Sequence, residues 1–527
     1  MTAEWDKLSL EWGEGKKQSP RMDQEEIKRP SYEGKARTSV KLYMSALSAG
    51  VYPFKDRDTG DICVSLDCHG RKDVFPLYSS VFRAFLTKMY YEETGEVVSQ
   101  TAMEETSRLL EADARSRLPV VSFLRTGYRG KTLYLDLADE QGRVIEIDGQ
   151  GWRLSEHPPL FRRNQAMRPL PLPKAGGSLD LLRQFLNTDG EESFILAVSW
   201  LFAALHPRGP FPVGIVSGEH GSGKSMIGTL LKRIIDPDRA MKRSMPKDED
   251  GLFAAAASHW VLHFDNLSSL KTDTSDQLCR LASGGGISKR KLFTDNEEFT
   301  MEAARPIVLN GIGLSPDRPD LLSRSLNIRL RVLQEEERRT ETELEQAFRK
   351  AHPLILGALL DAASTALKCK DFRPVSLPRL ADASLWILKA EQGNALPWKS
   401  GGFLAALKKE QSEAEDEILS SNVVSSTIMG MMENSNSWRG LLKTLLGTIR
   451  EEAGNNRNFC PSNEKALWNS LERLMPLLRR RGIRVQKTSR QAAGTVVLIV
   501  KEEKAEPNQI KFEDAPFSLF ESEGGVK

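Results

Sequence analysis

Apolar and polar positions divide the chain into blocks of different period. Residues 1 to about 40 have none: Gly, Pro, Lys and Glu are scattered, as in a flexible leader. Residues 41–163 read as a small α/β domain. Ile62-Cys63-Val64-Ser65-Leu66 alternates with period two and predicts a strand. Tyr78–Tyr91 and Ser99–Arg117 space their apolar residues as helices. Thr132–Leu137 and Arg143–Ile147 predict strands joined by a turn over Ala138–Gly142, and Pro158–Pro173, rich in Pro and Arg, reads as a linker.

From residue 178 to 335 helices alternate with short, wholly apolar strands, the pattern of a parallel sheet buried on both faces. Ser178–Leu186 and Glu191–Leu205 are predicted helices, followed by the strand Val213–Val216 and a helix over Met226–Ile235. A strand over Ala240–Arg243, a helix over Asp248–Ala257 and the strand Trp260–Asn266 come next. Ile287–Phe293, a turn over Thr294–Glu297 and Glu298–Met301 predict a hairpin, and Arg305–Asn310 and Leu326–Leu330 two further strands. Residues 336–430 are helical, with Glu343–Lys368 and amphipathic Phe403–Leu419 the clearest runs. Residues 437–501 predict a winged helix. Its parts are a helix over Trp438–Glu452, a second capped by Ser462 that puts Leu467, Leu471, Leu474 and Leu478 on one face, strands Arg484–Lys487 and Thr495–Val500, and a wing over Thr488–Gly494.

Composition narrows the class only a little. A net charge of +2 over 527 residues favours no partner, so local patches must decide. Cys63, Cys68 and His69 form the one Cys/His cluster and no second pair follows at zinc spacing, so the five cysteines read as reduced thiols. No apolar run approaches the ~18 residues of a membrane span, and no signal-peptide core is visible near residue 1, which points to the cytoplasm. Asp136, Asp139 and Glu140 lie at a strand end, but their spacing suits a surface turn better than a carboxylate pair holding two metal ions.

The strongest chemical signal is Gly218-Glu219-His220-Gly221-Ser222-Gly223-Lys224-Ser225, between a strand and a helix. This is a P-loop, GxxxxGKS. Its glycines let backbone N–H groups cradle phosphates, Lys224 reaches the β- and γ-phosphates of ATP, and the Ser225 hydroxyl ligates Mg²⁺. The buried strand ending in Asp265, 41 residues beyond Lys224, fits a Walker B acid that helps hold the metal.

The order of these motifs resembles the AAA+ core of superfamily 3-type helicases, in particular the helicase half of phage, plasmid and poxvirus-type primase-helicases. The resemblance spans about Leu181–Leu330. It implies an AAA+ P-loop NTPase core at 178–335; with the helical lid or appendage at 336–430 and the N-terminal α/β and C-terminal winged-helix domains read from the residues, the expected fold class is α/β. The resemblance also implies a hexameric ring in which the Lys289–Phe293 hairpin, with Lys289, Arg290, Lys291 and Phe293, meets single-stranded DNA in a central channel. Asn310 would be the sensor of the γ-phosphate. Arg324 matches an arginine finger acting on a neighbouring subunit, with Arg318 as second choice. One departure stands out: the family usually has an acid beside the Walker B Asp, and here the residue is Asn266, which can orient water but is a poor base. Another carboxylate, such as Glu219, would then have to serve.

Residues 438–500 contain twelve Lys and Arg against four Glu, and Arg479, Arg480, Arg481, Arg484, Lys487 and Arg490 cluster at the helix end and wing, a footprint for phosphate contacts. Residues 502–527 turn acidic and read as a flexible tail, in which Phe517, Leu519 and Phe520 resemble a sliding-clamp docking motif. The expected function is ATP-dependent DNA unwinding or translocation in replication of a phage or mobile element. Its competitor is an ATP-switched initiator or helicase loader, which Asn266 favours; a DNA-sensing defence ATPase is a third option.

Overall fold

The computed structural model describes residues 37–502 except 69–70, 269, 271, 291–297, 312–318, 375, 455–459 and 492–493. The chain divides into two compact units, one built from residues as far as Ser412 and the other from Glu413 onward.

The described part of the first unit opens with a helix, Thr38–Ser48, before a three-stranded antiparallel sheet, Tyr52–Lys55, Ile62–Cys68 and Arg71–Pro76, and the helices Ser80–Thr94 and Gln100–Ser116. The last two helices begin at a serine, Ser79 and Ser99, whose hydroxyl accepts an otherwise unpaired backbone N–H of the first turn. A four-stranded antiparallel meander follows, over Thr126–Arg129, Thr132–Asp136, Val144–Asp148 and Gly151–Leu154.

Pro158–Pro173 does not behave as a linker. Leu160–Phe161 pairs in parallel with Ser122–Phe123, and the Arg168 N–H donates to the Pro237 carbonyl at 2.9 Å. Arg163 binds the fully buried Asp136 at 2.7 and 2.8 Å and Asp73 at 2.9 Å. The arginines that suggested a solvated linker instead neutralise buried carboxylates, which burial would otherwise make costly. Asp136 and Asp139, the latter paired with Arg143, are thereby occupied in turn structure.

Arg125 ties the meander to the next layer. Its guanidinium is fully buried and binds Asp236 at 3.0 Å and the carbonyls of Asp136, Arg168 and Pro237 at 3.2 Å each. A buried guanidinium needs this many acceptors, because each unpaired N–H would carry the desolvation cost alone.

The central layer is a four-stranded parallel sheet. Helix α1 (Gly190–Leu205) precedes β1 (Val213–Gly218), α2 (Lys224–Ile235), β2 (Leu262–Leu267), the hairpin strands β3 (Gly286–Arg290) and β4 (Glu298–Glu302), β5 (Ile307–Gly311) and β6 (Ser325–Leu330). Spatial order is β2-β5-β1-β6, all parallel. Every residue of α1 from Ser193 to Leu205 is buried, which its continuous apolar run requires. The expected strand Ala240–Arg243 is reduced to one parallel bridge, Arg243 to Phe264, held by two backbone bonds. Ser178–Leu186 forms a 3₁₀ turn, Leu179–Gln184, rather than an α-helix. Helix α3 (Glu341–Lys368) opens with a capping box, Thr340 with Glu343, and packs on α2 and the 3₁₀ turn.

The second unit begins inside helix α4 (Gly402–Ser421). Strand β7 (Ser437–Leu441) leads into α5 (Leu442–Glu452), then α6 (Glu464–Arg480), β8 (Ile483–Gln491) and β9 (Gly494–Lys501), with antiparallel order β7-β9-β8. Trp438 therefore lies in a strand, opposite Ile499, and not in a helix. Gly440 permits this: a Cβ there would lie 2.6 Å from the Trp438 ring. Asn463, not Ser462, caps α6, accepting the Ala466 N–H at 2.9 Å. The segment expected as a wing is mostly ladder, since β8 and β9 stay paired out to Gln491 and Gly494.

Candidate nucleotide site and basic face

Parallel strands place ligand loops at their carboxyl ends. The loop between β1 and α2 lies there, and its bends require glycine. Gly223 caps α2 at φ +79°, a left-handed conformation that costs other residues energy. At Gly218 a Cβ would come 2.7 Å from the Ser222 hydroxyl and 2.8 Å from the Leu330 carbonyl. Asn187 holds the loop from behind, its amide donating to the carbonyls of Ser222 at 2.9 Å and Arg331 at 2.8 Å.

Four side chains converge on this loop. Lys224 Nζ donates to the loop's own carbonyls, Gly218 at 2.8 Å and Glu219 at 2.6 Å. The Ser225 hydroxyl donates to Asp265 Oδ1 at 2.7 Å, and the Asn310 amide donates to the same oxygen at 2.6 Å. Burial alone would raise the Asp265 pKa; the Ser225 and Asn310 donors outweigh it and hold the carboxyl below its ordinary value. Register explains the meeting: β5 runs between β1 and β2, with Asn310 opposite Val216 on one side and its neighbour Leu309 opposite Phe264 on the other.

The site is continuous with an open cavity of about 660 Å³. Lys224, Ser225, Lys242, Asn266 and Asn310 line one part; Phe185, Leu230, Leu344 and Phe348 supply apolar wall. Asn266 adopts φ +58° where β2 departs from its register with β5, a left-handed position that Asn tolerates better than most residues. Glu219 is absent from this lining, whereas Glu341 and Glu345 belong to it. Glu345 is engaged by Arg233 and Arg349.

The residues suit a nucleoside triphosphate with a divalent cation. A hydroxyl and a carboxylate that share one hydrogen bond are oxygen donors of the kind Mg²⁺ takes. The Ser222 hydroxyl is buried without a hydrogen-bond partner among the described residues, inside the loop whose amides would face phosphate.

Arg324 lies elsewhere. Its carbonyl accepts the Val213 N–H at 3.0 Å, at the start of β1, whereas Lys224 follows the strand's far end. Its guanidinium is 3.5 Å from Asp320, a carboxylate also held by Arg379 at 2.6 Å. The geometry therefore keeps Arg324 out of the site of its own chain. Lys289 and Arg290 fall on β3 of the antiparallel hairpin. Arg318, Lys291, Phe293 and the tail residues Phe517, Leu519 and Phe520 lie outside the described residues.

The basic face of the second unit is less free than its charge count suggested. Arg480 pairs with Glu415 and Arg481 with Asp416, both acids on α4. Arg484 pairs with Glu502 at 2.8 Å, and Lys487 stacks on Trp468 at 3.8 Å. Arg479 is exposed in the last turn of α6, and Arg490 belongs to β8.

Residues 179–396 match the family described as the actinomycete integrative conjugative element replication protein, and residues 424–510 match the C-terminal domain of the same RepA family. The chain thus resembles a mobile-element replication protein. The first match takes in the P-loop, Asp265 and Asn310; the second takes in the second unit's sheet with α5 and α6. Together the matches support a role in replication of an integrative conjugative element. No curated protein matches the sequence. Among solved structures, an active helicase, SCCmec type IV Cch, is similar at 14% identity with a TM-score of 0.47, covering 86% of this chain and 93% of that one. The apo C-terminal region of NrS-1 is similar at 14% identity with a TM-score of 0.40, over 87% and 98%. Likeness of that degree does not define a shared fold.

Several residues at the site carry no motif and were invisible in the sequence. Asn187 and Lys242 belong to none of the expected signals. His263 reads as one more position of a buried strand, yet its ring contacts Asn310. Glu415 and Asp416 lie outside the basic segment whose charge they offset.

Proposed function

We propose that this chain is an ATP-driven DNA motor that works as a ring in replication of a mobile element, in the cytoplasm of its host. The observation that carries the reading is the meeting of Lys224, Ser225, Asp265 and Asn310 at the carboxyl ends of three adjacent parallel strands. The strand order supports an AAA+ core, with 336–430 as lid and 437–501 as a winged helix.

In this reading Lys224 exchanges its loop carbonyls for the β- and γ-phosphates. Ser225 and Asp265 would hold Mg²⁺, whose charge offsets that of the phosphates. Asn310 directs its amide hydrogens toward the same centre. Asn266 orients the attacking water, and Arg324 serves the neighbouring subunit's nucleotide, consistent with its distance from its own P-loop. The β3–β4 hairpin contacts single-stranded DNA in the ring, and the exposed cations of the second unit contact duplex phosphates.

A second reading rests on Asn266: with no acid beside Asp265, ATP would act as a conformational switch in an initiator or loader. Measuring ATP hydrolysis with and without single-stranded DNA tests the proposal. The motor reading expects turnover that DNA stimulates and that Lys224→Ala abolishes.

A further inference from the structure

Asn310 is held from both ends. Its NH₂ group must face Asp265, since two oxygens could not sit 2.6 Å apart beside an ionised carboxylate. Its Oδ1 then faces His263 Nε2 at 2.8 Å. An amide oxygen only accepts, so that ring nitrogen carries a hydrogen, whatever the charge of the ring. The other ring nitrogen lies 3.0 Å from the Met241 carbonyl.

His263 is fully buried, in a strand whose neighbours Leu262 and Phe264 are apolar. A buried polar side chain in such a strand is costly unless paired, and a Leu or Val would fill it without that cost. The P-loop helix also accommodates the ring. A Cβ at Gly228, inside α2, would lie 2.3 Å from His263 Nε2. Glycine in a helix interior costs about 1 kcal/mol against alanine, so two local preferences are given up at one contact.

We infer that His263 is a positioning residue for the reaction: it anchors the oxygen end of the Asn310 amide so that the NH₂ group stays aimed at Asp265, Ser225 and the terminal phosphate. Without a donor at 263 the Asn310 oxygen is left buried without its partner, and the amide swings out of line with the carboxylate and the phosphate. This rests on the nucleotide-hydrolysing reading above.

The test uses the full chain. His263→Leu removes the donor at similar bulk, and His263→Gln restores an N–H at similar reach. Turnover is measured with ATP and Mg²⁺, and binding with a fluorescent ATP analogue. The expected result is a fall in kcat of about 10- to 100-fold for His263→Leu, each tenfold being about 1.4 kcal/mol of barrier. Nucleotide Kd should stay within about twofold, since one misdirected amide leaves the P-loop contacts in place. His263→Gln should recover most of the lost kcat. A packing role alone would lower binding and thermal stability together and would give no selective recovery with Gln. Wild-type kcat in His263→Leu, or equal loss in both variants, overturns the inference. If His263→Leu does not fold, Gly228→Ala decides, because it displaces the ring without removing any polar group from the chain. Reduced kcat with retained binding is then expected, and wild-type kcat overturns the inference. Absence of turnover in the wild type would instead remove the hydrolysis reading itself, a failure distinguishable from an unaffected His263→Leu in an active enzyme.

Discussion

The Ser225 hydroxyl donates to Asp265 Oδ1 at 2.7 Å across 40 residues of chain. Contact between the first helical turn after the P-loop and the end of β2 separates binding from chemistry. Asp265→Ala leaves Lys224 and the loop amides in place, so nucleotide binding should persist within a few-fold. Turnover should fall by about 10²-fold or more, because the carboxylate that would orient the metal is gone. Equilibrium binding beside steady-state hydrolysis checks this; equal loss of both would contradict it.

Asn266 occupies the position where an acid would polarise water. Because its φ is +58°, the substitution must tolerate the left-handed region, which Asp does better than Glu. Asn266→Asp should raise kcat by roughly tenfold or more if proton removal limits the reaction, general bases contributing about 10²- to 10⁴-fold. An unchanged kcat, with binding intact, would show that another step is limiting.

The carboxylates of α4 set how much of the second unit's charge reaches DNA. Glu415→Gln with Asp416→Asn frees Arg480 and Arg481. Duplex affinity should rise and the slope of log K against log salt should steepen by up to about 2, near 0.9 per added phosphate contact. Arg480→Ala with Arg481→Ala should leave the slope close to its wild-type value. Fluorescence anisotropy across a salt series reads both, and a slope unchanged by the acid substitutions would exclude these arginines from DNA contact.

The sequence was most legible where one physical requirement acts on neighbouring residues. The glycines of 218–225, the apolar runs of β1, β2, β5 and β6, and the leucine face of α6 each follow from local geometry. Asp265 and Asn310 could be named because a strand end with a polar residue is a local feature. Pairings across long separations were not legible. Arg163 with Asp136 turned an apparent linker into packed structure, and Arg480 with Glu415 turned an apparent charge cluster into ion pairs. The expected Trp438 helix gives way because α5 begins only at Leu442, after strand β7 has paired with β9 some sixty residues later. His263 stayed hidden because its role depends on Asn310 and on the space above Gly228, neither near it in sequence.

Strand displacement on a forked duplex tests the central proposal most directly. With ATP and Mg²⁺ the wild-type chain should release the labelled strand, and Lys224→Ala should release none while still binding DNA. ATP hydrolysis by the wild type without any displacement, on forks with either tail, would contradict a motor and favour the nucleotide switch; displacement that survives Lys224→Ala would contradict the assignment of the nucleotide site itself.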